Sequence, residues 1–350
     1  MRAWTLVENG RPLECVECAT PEPTGQQVVV ETTHCGVCHS DLHIHDGVYH
    51  LGKGRTLKLA DRGMKLPLVM GHEVVGRVVA VGPKAKGVKV GDLRLVFPWQ
   101  GCGQCDRCMN GREHMCLTPL TLGVIRGGGY GSHVLVQRPD HLINIDGLNP
   151  AVAATYACSG VTVYSAIKKA LPLPPKAPVV VMGAGGLGLN AIHILRAIGH
   201  EAVIAVDIDP AKREEAAKAG ASKTLDGKDD NLAGRIIEAA GGSVEAVIDL
   251  VGSSETANAG LATLVKGGKL VLVGLFGGDI TVDLPLIPLR AVSIMGSYVG
   301  SYQELTELVE LAKAGKLKPL PVSLRPHSKP NEALEELRSG AVRGRLVLAA

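Results

Sequence analysis

Gly183-Ala184-Gly185-Gly186-Leu187-Gly188 stands between a short apolar run, Val179-Val180-Val181-Met182, and a helix-compatible stretch from Leu189 to Gly199. A glycine fingerprint in that position constrains the fold more than any other feature of the chain, because it demands a strand–loop–helix unit. Gly183 permits the tight turn, Gly185 lets the backbone approach a pyrophosphate, and Gly188 lets helix and strand pack closely. The helix start, with Gly186 and Leu187 in it, offers free N–H groups to the phosphates. Asp207 closes the next apolar run, 19 residues after Gly188. A carboxylate there accepts hydrogen bonds from ribose hydroxyls and repels a 2′-phosphate, so NAD is expected rather than NADP.

Strand and helix patterns alternate around this unit. Pro210 opens a helix that Gly220 ends, apolar runs follow at 244–251, 269–275 and 292–297, and an amphipathic helix spans Glu304 to Ala314. Alternation of this kind predicts a doubly wound parallel sheet. The chain before Asn149-Pro150 reads differently. Gln26 to Thr33, Val74 to Val81 and Val88 to Phe97 are β-rich and punctuated by Gly and Pro, which predicts an irregular all-β unit with long loops. Leu346-Val347-Leu348 is too short for a domain of its own and is expected to return to that unit. At 350 residues two domains are the natural reading. The fold class is therefore β and α/β.

A net charge of +3 lacks the concentrated basic face that nucleic-acid binding needs. No uninterrupted apolar run reaches about 18 residues, so no membrane span is expected. Glu8 breaks the start before a signal-peptide core forms, and a cytoplasmic protein is expected.

The 9 cysteines are unevenly placed. Cys102, Cys105, Cys108 and Cys116 lie in one short stretch whose spacing lets a loop wrap a tetrahedral ion. Four thiolates saturate such an ion, so this is a candidate structural zinc site. A second constellation is scattered: Cys35, Cys38, His39, Ser40, Asp41 and His43 in nine positions, then Gly71-His72-Glu73, then the isolated Cys158. A catalytic zinc takes three protein ligands and keeps one position open. His72, Cys158 and one of Cys35 or Cys38 would supply that set, and spacing alone leaves the two thiols open.

Together these segments resemble the zinc-containing alcohol dehydrogenases of the medium-chain dehydrogenase/reductase superfamily, and are closest to its tetrameric microbial and yeast-type members. The motifs that carry the resemblance are Gly36-Val37-Cys38-His39-Ser40-Asp41-Leu42-His43, Gly71-His72-Glu73, the four-cysteine lobe, Cys158-Ser159-Gly160-Val161-Thr162-Val163-Tyr164, the glycine loop, Gly296-Ser297-Tyr298-Val299-Gly300 and Gly344-Arg345. They span nearly the whole chain. The resemblance implies a GroES-like catalytic domain over 1–153 with its lobe at about 97–117, a Rossmann domain over 154–297, and a segment over 298–350 that returns to the catalytic domain. It implies NAD, two zinc ions per chain, and a homotetramer or homodimer.

The resemblance also implies roles. Cys38, His72 and Cys158 hold the catalytic zinc, Glu73 sits behind the metal, and Asp41 holds the ligand histidine. Ser40 bonds the substrate oxygen, and His43 ends a proton relay through the nicotinamide ribose. His39 and Arg345 are cations beside the pyrophosphate, and Lys212 is one beside the adenosine ribose. Thr162 packs on the nicotinamide, with Val273, Ser297, Tyr298 and Val299 along its other edges.

Three features depart from the family. A basic segment, 52–65, lengthens the chain between His43 and His72. Tyr49 stands where a tryptophan is frequent. Cys15-x2-Cys18 matches nothing in the family. The function so implied is reversible oxidation of primary or secondary alcohols to aldehydes or ketones. A polyol or amino-alcohol dehydrogenase is the alternative, and a non-enzymatic nucleotide-binding scaffold is a more distant one. Cys158 argues against the polyol branch, which often has an acid there, and the presence of both cysteine sets argues against the scaffold. Phe97, Trp99 and Tyr49 are candidate walls of the substrate pocket.

Overall fold

The computed structural model describes all 350 residues. Six parallel strands form one sheet in the order Lys223–Asp226, Val203–Asp207, Val179–Met182, Val244–Asp249, Leu264–Leu272, Ser293–Gly296. The chain winds outward from Val179–Met182 in one direction and then in the other. A crevice therefore opens beside the carboxyl end of that strand, where sheets of this kind take ligands. All four residues of Val179–Met182 are buried, which explains an apolar run without alternation. Helix Pro210–Ala219 begins with Asp209 accepting the Ala211 N–H at 2.8 Å and ends at a left-handed Gly220.

The β-rich unit is built on a second sheet, in the order Leu142–Asn144, Leu93–Val96, Glu73–Val81, Val28–Val37, Arg345–Ala349, Val322–Pro326. Strand His133–Val136 also pairs with Val28–Val37. The last strand does return: Leu346 faces Val37 and Leu348 faces Cys35 in an antiparallel pair. The chain between 298 and 350 serves both units. Helix Tyr302–Lys313 places Leu305, Leu308 and Val309 in one core with Val161, Val179 and Ile192, before the final strands join the β-rich sheet.

One long helical stretch joins the units. Asn149 caps Pro150–Thr155 by accepting the N–H groups of Ala151 and Val152. The helix widens into a π turn over Tyr156–Gly160 and resumes as Val161–Ala170. Its far end is held by Lys269, whose ammonium donates to the carbonyls of Ala170 (3.0 Å) and Leu171 (3.1 Å). A cation at that end complements the helix dipole.

The basic segment folds as a ribbon, Val48–His50 against Thr56–Lys58. Its tip leans on the loop that follows Leu264–Leu272. A Cβ on Gly52 would stand 2.7 Å from the Asp279 Cβ, and Lys53 Nζ lies 3.6 Å from Asp279 Oδ2. No helix is long and apolar enough to cross a membrane.

Candidate active site and metal centres

The glycine loop is shaped as a phosphate cradle. Gly183 has φ +92°, where side chains are strained. A Cβ on Gly188 would lie 2.0 Å from the Gly183 carbonyl oxygen, so helix and strand meet there without a side chain. A Cβ on Gly185 would meet nothing within 4 Å. Protein packing does not require glycine at 185, and the space it leaves is open to a ligand. Helix Gly186–Ala197 has no side-chain cap, and its first intrahelical bond runs from the Leu189 N–H to the Gly185 carbonyl. The N–H groups of Gly186, Leu187 and Gly188 thus stay available to an anion. Asp207 accepts the Ala184 N–H at 2.8 Å on one oxygen and the Asp209 N–H at 2.9 Å on the other, which fixes its carboxylate beside the loop. Lys212 follows in the first turn of the next helix. These residues fit an adenine dinucleotide.

The four-cysteine lobe fits a tetrahedral ion. Sγ separations are 3.5 Å for Cys105–Cys108, 3.8 Å for Cys105–Cys116 and 3.9 Å for Cys102–Cys108. Four sulfurs at 2.3 Å from one zinc would stand about 3.8 Å apart. The backbone N–H groups of Gln104 and Cys105 lower the Cys102 thiol to about 6, toward the thiolate a metal needs. A buried Glu113 ties the lobe to the β-rich unit, accepting from Arg138 and lying 2.8 Å from His141 Nε2.

The second constellation converges from three distant segments. Cys38 directly follows the strand Val28–Val37 and caps helix His39–Asp46. His72 stands one residue before strand Glu73–Val81, and Cys158 sits in the π turn. Ligand atoms of Cys38, His72, Glu73 and Cys158 all lie within 4.8 Å of one another, and the two sulfurs are 3.9 Å apart. All four residues are buried. Cys35 points elsewhere, into a separate core beside Tyr130 and Val74.

Electrostatics favour a cation here. The Cys158 thiol beside Cys38 drives the Cys38 thiol well below its ordinary value, with further help from His72 and Arg345, while Cys158 is pushed up by the same contact and by burial. Burial opposes a charge on His72, but Asp41 and Cys38 outweigh it and raise the imidazole. Asp41 Oδ1 lies 3.3 Å from His72 Nδ1, too poorly aligned for a full hydrogen bond. Both nitrogens of His72 and Oε2 of Glu73 are buried without a hydrogen-bond partner. Orphaned groups of that kind require one, and a zinc ion among two thiolates and an imidazole satisfies one nitrogen of His72, leaving Nδ1 to face Asp41.

Arg345 occupies a position between the two sites. Its guanidinium donates to Glu73 Oε1, which also accepts the Ser159 N–H, and it is 4% exposed. Its stem lies against the glycine loop, where a Cβ on Gly186 would stand 2.7 Å from Arg345 Cδ. Arg345 is thus a buried counter-ion to Glu73 as well as a neighbour of the phosphate cradle. Arg345 and Lys212 add to the burial that depresses His39.

Ser40 and His43 share one face of helix His39–Asp46, three residues apart. The His43 ring lies 4.9 Å from that of Tyr49. Trp99 packs 5.5 Å from the His72 ring and 6.1 Å from Tyr298, and its indole N–H donates to the Ala157 carbonyl at 2.9 Å. Phe97 is no pocket wall. It is fully buried, edge-on to Tyr302 and beside His141. Thr162 is buried at the junction helix with an unpartnered hydroxyl. Val273 and Ser297 follow adjacent strands of the parallel sheet, and the Ser297 hydroxyl is held by Lys169 Nζ at 3.1 Å. Tyr298 is exposed and Val299 is buried with φ +38°. Sequence reading missed Tyr130, whose hydroxyl donates to Asp41. The one signal for it is an aromatic directly after Gly127-Gly128-Gly129.

Residues 24–147 match the family described as "Alcohol dehydrogenase GroES-like domain", and residues 186–314 match "Zinc-binding dehydrogenase". The chain is 39% identical to an NAD-dependent alcohol dehydrogenase of Saccharolobus solfataricus, over 99% of each chain. It is also 39% identical to an NAD-dependent alcohol dehydrogenase of Sulfurisphaera tokodaii, again over 99% of each. Among solved structures, the alcohol dehydrogenase of Aeropyrum pernix superposes with a TM-score of 0.91 at 31% identity, covering 100% of both chains.

Proposed function

This chain belongs to the zinc-dependent alcohol dehydrogenases of the medium-chain dehydrogenase/reductase superfamily, and from that premise we propose which of its residues carry the reaction. It is an NAD-dependent enzyme that interconverts alcohols with aldehydes or ketones, with one catalytic and one structural zinc. The observation that carries the assignment of residues is the meeting of Cys38, His72 and Cys158 in one buried spot, linked by Glu73 and Arg345 to the glycine loop.

Cys38, His72 and Cys158 hold the catalytic zinc, and Cys102, Cys105, Cys108 and Cys116 hold the structural one. When bound, the catalytic zinc is a Lewis acid that makes an alcohol hydroxyl easier to ionise, and NAD takes the hydride. The protein moves the proton. Ser40 accepts it from the substrate hydroxyl, and His43, one turn along the same helix face, receives it and releases it to solvent. Burial, with His39 nearby, lowers His43, so its imidazole is neutral at pH 7 and able to accept. Asp41 orients His72, and Glu73 with Arg345 closes the back of the site. Gly183 to Gly188 take the pyrophosphate, Asp207 the adenosine ribose, and Thr162, Val273 and Ser297 to Val299 the nicotinamide.

His43→Ala should slow alcohol oxidation by about 10²-fold. The deficit should be largest below neutrality and shrink as pH rises, because hydroxide and solvent bases then replace the lost acceptor. A uniform loss across pH would argue against the relay.

Substrate preference follows from the walls. The chain has few aromatic residues, 3% in all, yet Tyr49, Trp99 and Tyr298 gather around this site. Apolar and aromatic alcohols are therefore favoured over polyols. An NADH-linked screen of aliphatic, aromatic and polyhydroxy alcohols on protein assayed for metal tests this. About two zinc ions per chain and turnover of apolar alcohols are expected; zinc-loaded protein that reduces NAD with no alcohol refutes the assignment.

Strand Ser293–Gly296 pairs on one side only, and Phe276, Leu284 and Leu289 are exposed in the chain segment that leads into it. An unpaired edge with an apolar border favours a two-fold dimer, or a tetramer made of two such dimers. Nine free thiols, six of them in the two metal sets, fit the reducing cytoplasm.

A further inference from the structure

Tyr130 takes no part in the chemistry above, yet it is a large side chain fully sealed from solvent. Its hydroxyl donates to Asp41 Oδ2 at 3.3 Å. The same oxygen accepts the Cys38 N–H at 2.9 Å, and the other oxygen lies 3.3 Å from His72 Nδ1. The Tyr130 ring also packs on the turn that delivers His72. A Cβ on Gly71 would stand 2.5 Å from Tyr130 Cδ1, and Gly71 has φ +90°. The Tyr130 N–H donates to the Met70 carbonyl at 2.9 Å, which ties the residue to the same turn.

We propose that Tyr130 is a positioning residue of the catalytic zinc site, acting through Asp41 on His72 and through the Gly71 turn on the backbone that carries it. A coordinating imidazole is oriented by the carboxylate at its other nitrogen. That carboxylate must itself be held in plane. Two donors on Oδ2, the Cys38 N–H and the Tyr130 hydroxyl, leave Oδ1 facing His72. Asp41 is fully buried, so water does not replace a lost donor. Removal of the phenol oxygen frees the carboxylate to turn, and His72 loses its fixed orientation while the ring packing on Gly71 stays intact.

The inference rests on the reading that Cys38, His72 and Cys158 hold zinc. Its test uses the holoenzyme and its Tyr130→Phe, Asp41→Asn and doubly substituted forms. The readouts are release of the catalytic metal to a chelator and the visible spectrum of cobalt(II) placed in that site. Tyr130→Phe should release the metal about three- to tenfold faster, below the 10–100-fold typical of a direct partner of a metal ligand. Its cobalt bands should shift, and the double variant should release metal no faster than Asp41→Asn alone. The four-cysteine lobe should keep its zinc in every form. If Tyr130→Phe folds poorly, 3-fluorotyrosine at position 130 keeps the ring and strengthens the donor, and slower release is then expected. Wild-type release and an unshifted cobalt spectrum in Tyr130→Phe would overturn the inference, as would additive effects in the double variant. Wild-type protein that binds only one metal would instead refute the zinc-site reading.

Discussion

Cys158→Ser is expected to lower the zinc content from about two ions per chain to about one and to reduce alcohol oxidation by about 10³-fold or more. A serine hydroxyl stays protonated where a thiol ionises, so the site keeps one thiolate and one imidazole, too few for the three-ligand set a catalytic zinc takes. Loss of the Lewis acid removes several kcal/mol of transition-state stabilisation, and each 1.36 kcal/mol is a factor of ten. The smaller oxygen is accommodated in the π turn without a clash, and the four-cysteine lobe and glycine loop lie elsewhere. Melting temperature and NADH binding should therefore change little, which separates metal loss from unfolding. Elemental analysis beside an NADH-linked assay reads both effects. Retention of two zinc ions with full turnover would remove Cys158 from the ligand set.

Arg345→Met is expected to destabilise the fold by about 3–5 kcal/mol, because it strands a buried carboxylate. Glu73 is 0% exposed, and Arg345 is its one salt-bridge partner. Burial pushes the Glu73 carboxyl up, to about 7, against the opposing pull of Arg345. Without that pull the carboxyl rises further. A carboxyl raised on folding contributes its penalty above its unfolded value and is relieved at low pH, where it is protonated in both states. The deficit of the variant relative to the wild type should therefore open near pH 7, where the wild-type carboxyl ionises, and grow as pH rises above it. A melting-temperature loss of roughly 5–10 °C at about pH 9, smaller at about pH 6, is the expected reading. The double change Arg345→Met with Glu73→Gln should recover much of it, since no charge is then left buried. A pH-independent loss, or no recovery in the double variant, would show that Arg345 acts by packing alone. Arg345 also borders Gly186, so the single variant should bind NADH more weakly.

Much of the fold could be read from local pattern. Val179–Met182, the glycine loop and Asp207 specify a nucleotide unit because strand, turn and helix are contiguous there. The return of Leu346–Leu348 to the first unit needed only the recognition that three apolar residues cannot form a sheet alone. Other features had no local signature. The π turn at Tyr156–Gly160 reads as ordinary helix, yet it is what carries Cys158. Phe97 looks like any aromatic near a cleft, and its burial behind His141 and Tyr302 follows from how the sheets pack. Tyr130 reaches Asp41 across 89 positions of chain.

The nucleotide-binding loop and the four-cysteine lobe are legible in the chain alone. Each is complete within a few turns of chain, so spacing sets its geometry. Long-range packing is what turns Cys38 rather than Cys35 toward Cys158, brings His72 to them, and closes Arg345 on Glu73. Arg345 and Glu73 alone lie 272 residues apart. No local rule relates them, and they meet only because one packed core holds the β-rich sheet, the junction helix and the parallel sheet together.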